Sequence, residues 1–321
     1  MSRPSRTSIL FLLLLLLTAA LSGCAREEAL AQGNQQAGEE PIQVVTTIGM
    51  LTDVVRNIGG DHVMVNGLMG PGVDPHLYRA SESDVTKLLN ADMVFYNGLF
   101  LEARMEEIFH QMARNRPAVP VAERAIPVEK RLASTQYADQ YDPHVWMDVK
   151  LWREVAQVIR DELMAFDPAH ADAYQANAEA YLAQLDELEA WAQEQVQTVP
   201  AELRVLVTAH DAFHYFGQGY GFEVFAPQGI STASEAGVED IRRTIDVVVT
   251  RDIPAIFVET SVPPDVVEAI VEGARARGHE VVIGGQLFSD AMGEEGTPEG
   301  TYIGMIRHNV QTITDALRKS P

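Results

Sequence analysis

The sequence predicts an α/β protein built as two similar lobes, each a parallel sheet with flanking helices, joined by one long rigid α-helix. Three observations carry this. Short β-branched runs alternate with helical spacings from about residue 42 to the C-terminus. The alternation recurs at one spacing, Thr46 to Gly59 and Thr208 to Gly221 each being 13 residues apart. Between Pro168 and Pro200 no Gly or Pro interrupts a stretch rich in Ala, Gln, Glu and Leu. Strand–helix alternation of this kind builds βα units and parallel sheets.

In chain order, Gln43–Thr47 predicts a strand, Met50–Ile58 a helix ending at Gly59-Gly60, and His62–Leu68 a second strand. The second set repeats this with Leu203–Thr208, a helical segment to Gly221, and Phe222–Phe225. Each second strand runs into a Pro/Gly loop, then an acidic helix start (Ser83-Asp84, Glu239-Asp240), then a strand, Met93–Tyr96 or Ala255–Val258. Another strand is expected at Val281–Ile283. In the linking segment Leu182, Leu185, Trp191-Ala192 and Val196 line one face at helical spacing. The expected organisation is residues 42–168 as the N-terminal lobe, 169–200 as the linking helix and 201–321 as the C-terminal lobe.

The N-terminus reads as an address. Arg3 and Arg6 precede the apolar run Ile9–Leu17, too short to span a bilayer core of ~30 Å as a helix. Leu21-Ser22-Gly23-Cys24 resembles a bacterial lipoprotein signal. That resemblance implies cleavage of residues 1–23 and lipidation of Cys24, the only cysteine in the chain. Residues 24–41, rich in Glu, Gln, Ala and Gly, are expected to be a flexible tether.

The chain of 321 residues carries 46 Asp and Glu against 24 Lys and Arg, a formal charge of −22, which disfavours nucleic-acid partners and suits cations. A single cysteine excludes an intrachain disulfide framework and a Cys-rich zinc module.

Two of the nine histidines share a context, Asp74-Pro75-His76 and Asp142-Pro143-His144. Proline fixes its own φ and extends the preceding residue, so each imidazole sits on a stiff turn, which lowers the ordering entropy of a metal ligand. His210 directly follows a predicted strand, where α/β sheets collect ligands. Asp290 lies beyond a later strand; there an Asp serves either as a ligand or as a helix N-cap, and spacing leaves both open. Glu259 ends its strand and is open between capping and accepting a hydrogen bond behind a ligand.

Four ordered segments resemble those of a known family. Gly72-Val73-Asp74-Pro75-His76, Asp142-Pro143-His144-Val145-Trp146, Thr208-Ala209-His210-Asp211-Ala212-Phe213 and Phe288-Ser289-Asp290-Ala291 are similar to those of the metal-binding lipoproteins of bacterial manganese and zinc ABC importers, the zinc-uptake cluster (A-I) of periplasmic solute-binding proteins. The likeness covers residues 42–321. It implies His76, His144, His210 and Asp290 as ligands in a cleft between two α/β lobes. One divalent transition metal ion, Mn²⁺ or Zn²⁺, would be cargo for an ABC importer permease and its ATPase. The protein would be an extracytoplasmic monomer, lipid-anchored to a bacterial membrane at the cell surface or in the periplasm, and not an enzyme.

Three imidazoles and one carboxylate disfavour Mg²⁺ and Ca²⁺ and suit zinc, while manganese would want Asp290 bidentate or a further oxygen. Manganese members often carry a carboxylate where His210 stands; zinc members often carry a His-rich insertion, absent from Leu132–Tyr141. The two departures point opposite ways. Two other readings stay open. His210-Asp211-Ala212-Phe213-His214 imitates the spacing of a zinc-dependent metallohydrolase, and an anchored acidic lipoprotein could be a surface adhesin. His62, His110, His170, His279 and His308 are expected on helix or turn faces without convergent partners, and Trp146, Trp152 and Trp191 in packing roles.

Overall fold

In the computed structural model, residues 40–134 and 140–318 are described; the signal segment, Cys24 and the tether up to residue 39 lie outside the described residues. Strand β1 (Ile42–Thr46) is followed by helix α1 (Gly49–Gly59) and strand β2 (Val63–Gly67). Next come α2 (Glu82–Asn90), β3 (Met93–Tyr96), α3 (Glu106–Met112), β4 (Ala118–Pro120) and α4 (Val121–Ala125). These four strands form one parallel sheet in the order β2-β1-β3-β4. Helix α2 starts at a capping box in which the Ser81 hydroxyl accepts from the Asp84 N–H and the Asp84 carboxylate accepts from the Ser81 N–H.

Two long helices follow, α5 (Val149–Phe166), capped by Asp148, and α6 (Ala171–Gln197). The second half contains β5 (Val205–Val207), α7 (His214–Tyr220), β6 (Glu223–Phe225), α8 (Val238–Thr250), β7 (Ala255–Glu259), α9 (Asp265–Arg275), β8 (Val282–Leu287) and α10 (Tyr302–Arg318). Its strands make two parallel pairs, β5-β6 and β7-β8, rather than one continuous sheet. Among the described residues no helix is long and apolar enough to cross a membrane.

Two elements differ from the sequence-based expectation. Strand β8 runs on to Leu287, past Gly284 and Gly285. Those glycines read as a strand end, yet they admit α10: a Cβ on Gly284 would lie 2.7 Å from the Ala316 Cβ. Helix α6 buries Tyr174, Ala178, Tyr181, Leu185, Leu188, Ala192 and Val196, a stripe at spacings of three and four. Leu182 and Trp191 fall at its half-buried margins, where Arg307 stacks over the Trp191 ring at 4.7 Å.

At 1.5 Å per residue the 27 residues of α6 span about 40 Å. The main apolar core is continuous through both halves. Val54 and Leu51 of α1, Trp152 of α5, Leu185 of α6, Phe213, Leu287 and Tyr302 all belong to it, and Trp152 stacks on Tyr302 at 5.3 Å. A smaller cluster under β5 and β7 includes Val205, Ile245, Ile256 and Ile270. Leu185→Ala should therefore cost about 2–5 kcal/mol through the cavity it leaves, read as a lower urea midpoint. Glu187→Ala, on the exposed face of the same helix, should change stability by less than about 0.5 kcal/mol.

Candidate metal centre

Parallel strands deliver their loops to one edge of each sheet, and the four sequence-selected donors meet there. His76 follows β2, His210 follows β5, Asp290 follows β8, and His144 sits on the turn that leads into α5. All four side chains are buried. One donor atom from each lies within 4.8 Å of every other. The Nε2 atoms of His144 and His210 each stand 3.3 Å from an Asp290 oxygen, Oδ1 and Oδ2 respectively. His76 Nε2 is 3.4 Å from His144 Nε2 and 3.7 Å from Asp290 Oδ2. A tetrahedral ion with bonds of about 2.0–2.1 Å separates its donors by about 3.3–3.4 Å. The set is already near that spacing.

The two Asp-Pro-His turns share one local device. Asp74 Oδ1 accepts the His76 N–H and Asp142 Oδ1 accepts the His144 N–H, both at 2.9 Å. Asp142 Oδ1 also accepts the His144 Nδ1–H at 2.7 Å, which fixes the tautomer and leaves Nε2 facing inward. At His210 the same task falls to Glu259. Its Oε2 accepts the ring Nδ1–H at 2.5 Å while Oε1 accepts the N–H groups of Ala209 and His210, each at 2.9 Å.

Support reaches further back. Asn97 donates to the Pro143 carbonyl at 3.0 Å, and the buried Glu102 holds Asn97 and Thr47 through the Asn97 N–H (2.8 Å) and the Thr47 hydroxyl (2.6 Å). Trp146 is more than packing. Its indole N–H donates to the Ser289 carbonyl at 2.9 Å and its ring stands against His144, tying the His144 turn to the Asp290 loop. Sequence reasoning missed Glu102, Asn97 and Thr47 entirely, since nothing in their local context distinguishes them. It named Asp74 and Asp142 only as turn residues.

Burial and carboxylates pull the imidazoles in opposite directions. Burial lowers His76 to about 3, so its ring is neutral at pH 7. Burial also opposes charge on His144, but Asp142 and Asp290 outweigh it and raise that ring to about 9. His210 is raised well above its ordinary range, Glu259 and Asp290 overcoming burial. Asp290, although burial works against its charge, is held well below the carboxylate range by His210 and His144.

The remaining histidines do not join this set. His214 is 39% exposed and lies 3.2 Å from Asp211, whereas His210 precedes α7 and faces Asp290. The two therefore do not share one helix face as a metallohydrolase pair would. His62 and His170 correct the expectation of isolated rings. They stack at 3.9 Å, with His170 bonded to Asp167. His279 and His308 bond backbone carbonyls of Ile253 and Gln286.

The family model for the periplasmic component A of the zinc-uptake complex, ZnuA, matches residues 44–316. The chain belongs to the ZnuA family. Within it, the chain is 50% identical over 276 residues to the zinc-binding protein TroA of Treponema pallidum (strain Nichols), covering 86% of this chain and 89% of the relative. It is 46% identical over 301 residues to the manganese-binding lipoprotein MntA of Bacillus subtilis (strain 168), covering 94% and 96%. The solved structure of the periplasmic zinc-binding protein TroA from Treponema pallidum superimposes with a TM-score of 0.84, covering 87% of this chain and 99% of that one. ZnuA-family membership and this superposition agree with the two-lobe α/β reading.

In the metal-free protein the raised His144 contributes stability that is fully present below its ordinary 6.5 and is lost as pH rises through about 9. Thermal melts of metal-free protein should accordingly show stability falling between pH 7 and 9. Asp142→Asn, which removes the charge behind the ring, should flatten that slope.

Proposed function

We propose that this ZnuA-family protein captures one divalent transition metal ion, Mn²⁺ or Zn²⁺, with His76, His144, His210 and Asp290. The ion would be held between the half formed by residues 42–168 and the half formed by 201–321, with 169–200 as their connecting helix. It is then handed to an ABC importer permease powered by its ATPase. The protein acts outside the cytoplasm, tethered by a lipid on Cys24, as a monomer and without catalysing a reaction. Relatives named as zinc-binding and manganese-binding proteins support capture over catalysis.

The observation that carries this reading is a set of orphaned buried atoms. Among the described residues His210 Nε2 and both Asp290 oxygens have no hydrogen-bond partner, although all are buried. The Asp290 charge is met there only by the imidazoles of His144 and His210, each at 3.3 Å. A shared dication satisfies all of them at once. The donor chemistry fits as well: three nitrogens and one carboxylate are poor partners for Mg²⁺ or Ca²⁺. The carboxylate faces His144 with one oxygen and His76 and His210 with the other. It can thus bind one ion through either or both oxygens, which accommodates manganese and zinc alike.

Loading is an exchange of charge. With His144 raised to about 9 and His210 raised well above its ordinary range, both rings carry a proton in the metal-free protein at pH 7. An ion entering with two positive charges replaces the two protons, so the buried charge barely changes.

Direct titration should find one ion per chain, with about two protons released at pH 7, measured by calorimetry in buffers of different ionisation enthalpy. Affinity should rise with pH up to about 9, the range in which His144 deprotonates. A pH-independent affinity would remove the imidazoles from the ligand set. Glu259→Gln should lower affinity by about 10–100-fold with the stoichiometry of one retained, read by competition against a chelating dye.

A further inference from the structure

The loop 226–237 lies between β6 and α8, and one contact there has a direct line to a donor. The Thr232 hydroxyl donates to Asp74 Oδ2 at 2.6 Å, bridging residues 158 apart in sequence. The other oxygen of the same carboxylate, Oδ1, caps the His76 N–H at 2.9 Å. Asp74 is thus held from two sides, by the turn that aims His76 and by a loop belonging to the opposite half.

That loop is in turn tied to His210. Gln228 pairs with His210 as an isolated parallel bridge, its N–H donating to the Ala209 carbonyl at 3.2 Å. The Gln228 side-chain amide donates to the carbonyls of Thr232 (3.2 Å) and Ser234 (2.9 Å), fixing the loop's shape. The chain of bonds therefore runs from His210 through Gln228, Thr232 and Asp74 to His76, joining two donors contributed by different halves. Beside it lies a groove of about 390 Å³, lined by Asp74, Leu77, Thr232, Glu235, Val262 and Asp265.

On the reading that His76 and His210 bind the ion, we propose that Thr232 is a positioning residue that latches the loaded site. Its hydroxyl holds the second half against the Asp74 carboxylate, and parting the halves requires this bond to break. When it breaks, Asp74 loses one of its two anchors and the His76 turn loosens. The latch thereby couples separation of the halves to release of the first donor. A hydrogen bond to a carboxylate is stronger than one between neutral groups.

The test compares wild type, Thr232→Val and Thr232→Ser, each loaded with Mn²⁺ or Zn²⁺, by stopped-flow release into excess chelator. Valine keeps the branched shape and removes the hydroxyl; serine keeps the hydroxyl. Dissociation should be about tenfold faster for Thr232→Val, with association unchanged and one ion still bound per chain. Thr232→Ser should restore slow release. Equal release rates for wild type and Thr232→Val at a stoichiometry of one would overturn the latch while leaving the metal site standing. The same holds for a loss confined to association or to metal-free stability. Wild type that binds no ion would instead overturn the metal site itself.

Discussion

A single buried carboxylate, Asp290, sets the terms for the rest of the molecule. It sits among three imidazoles, and among the described residues neither oxygen has a hydrogen-bond partner, only ring nitrogens at 3.3–3.7 Å. Such a group is costly unless positive charge is held against it. In the metal-free state the positive charge comes from the rings of His144 and His210; in the loaded state it comes from the ion. Both states require rings held at fixed positions. This accounts for the second carboxylate behind each of those two rings, Asp142 and Glu259, and for the buried bonds that position the turn under His144. His76 differs in having no such carboxylate behind its ring, and burial, helped by the positive charges of His144 and His210, keeps it neutral. It is the donor that is ready without losing a proton.

The frame around the site is suited to a small motion. Helix α6 runs along both halves with a continuous buried stripe, and the main core passes from α1 through α5 and α6 to α10 without a break. Wide separation of the halves would expose that core. The contacts away from α6 are of another kind: hydrogen bonds from loops, such as that between Thr232 and Asp74. Metal choice follows similar logic. Three nitrogens bind zinc more tightly than manganese by the general order of affinities, so cargo selection depends on which ion is available and how fast it is released.

Much of this was legible in the sequence. The stiff Asp-Pro-His turns, the strand-end position of His210 and the Gly- and Pro-free linker each express local physics, because proline restricts φ and helical periodicity sorts apolar from polar faces. The strands Met93–Tyr96 and Ala255–Val258 were visible for the same reason, as β-branched and aromatic runs between turn residues, the second running one residue further to Glu259 in the structure. Less legible were the glycines of β8, which look like a strand end but admit a helix, and the split of the second sheet into two pairs. Both depend on what packs against the strand.

The sequence by itself determined most of the strand and helix order and offered His76, His144 and His210 as donors, because propensity, turn chemistry and spacing act over a few neighbouring residues; Asp290 joined them only through the resemblance of the four segments. Only the tertiary structure decided that Glu259 stands behind His210, that Glu102 and Asn97 brace the His144 turn, that Trp146 joins two donor loops, and that Thr232 reaches Asp74. Each of those pairs is assembled by chain closure across tens to more than a hundred residues, and no local rule carries information over that distance.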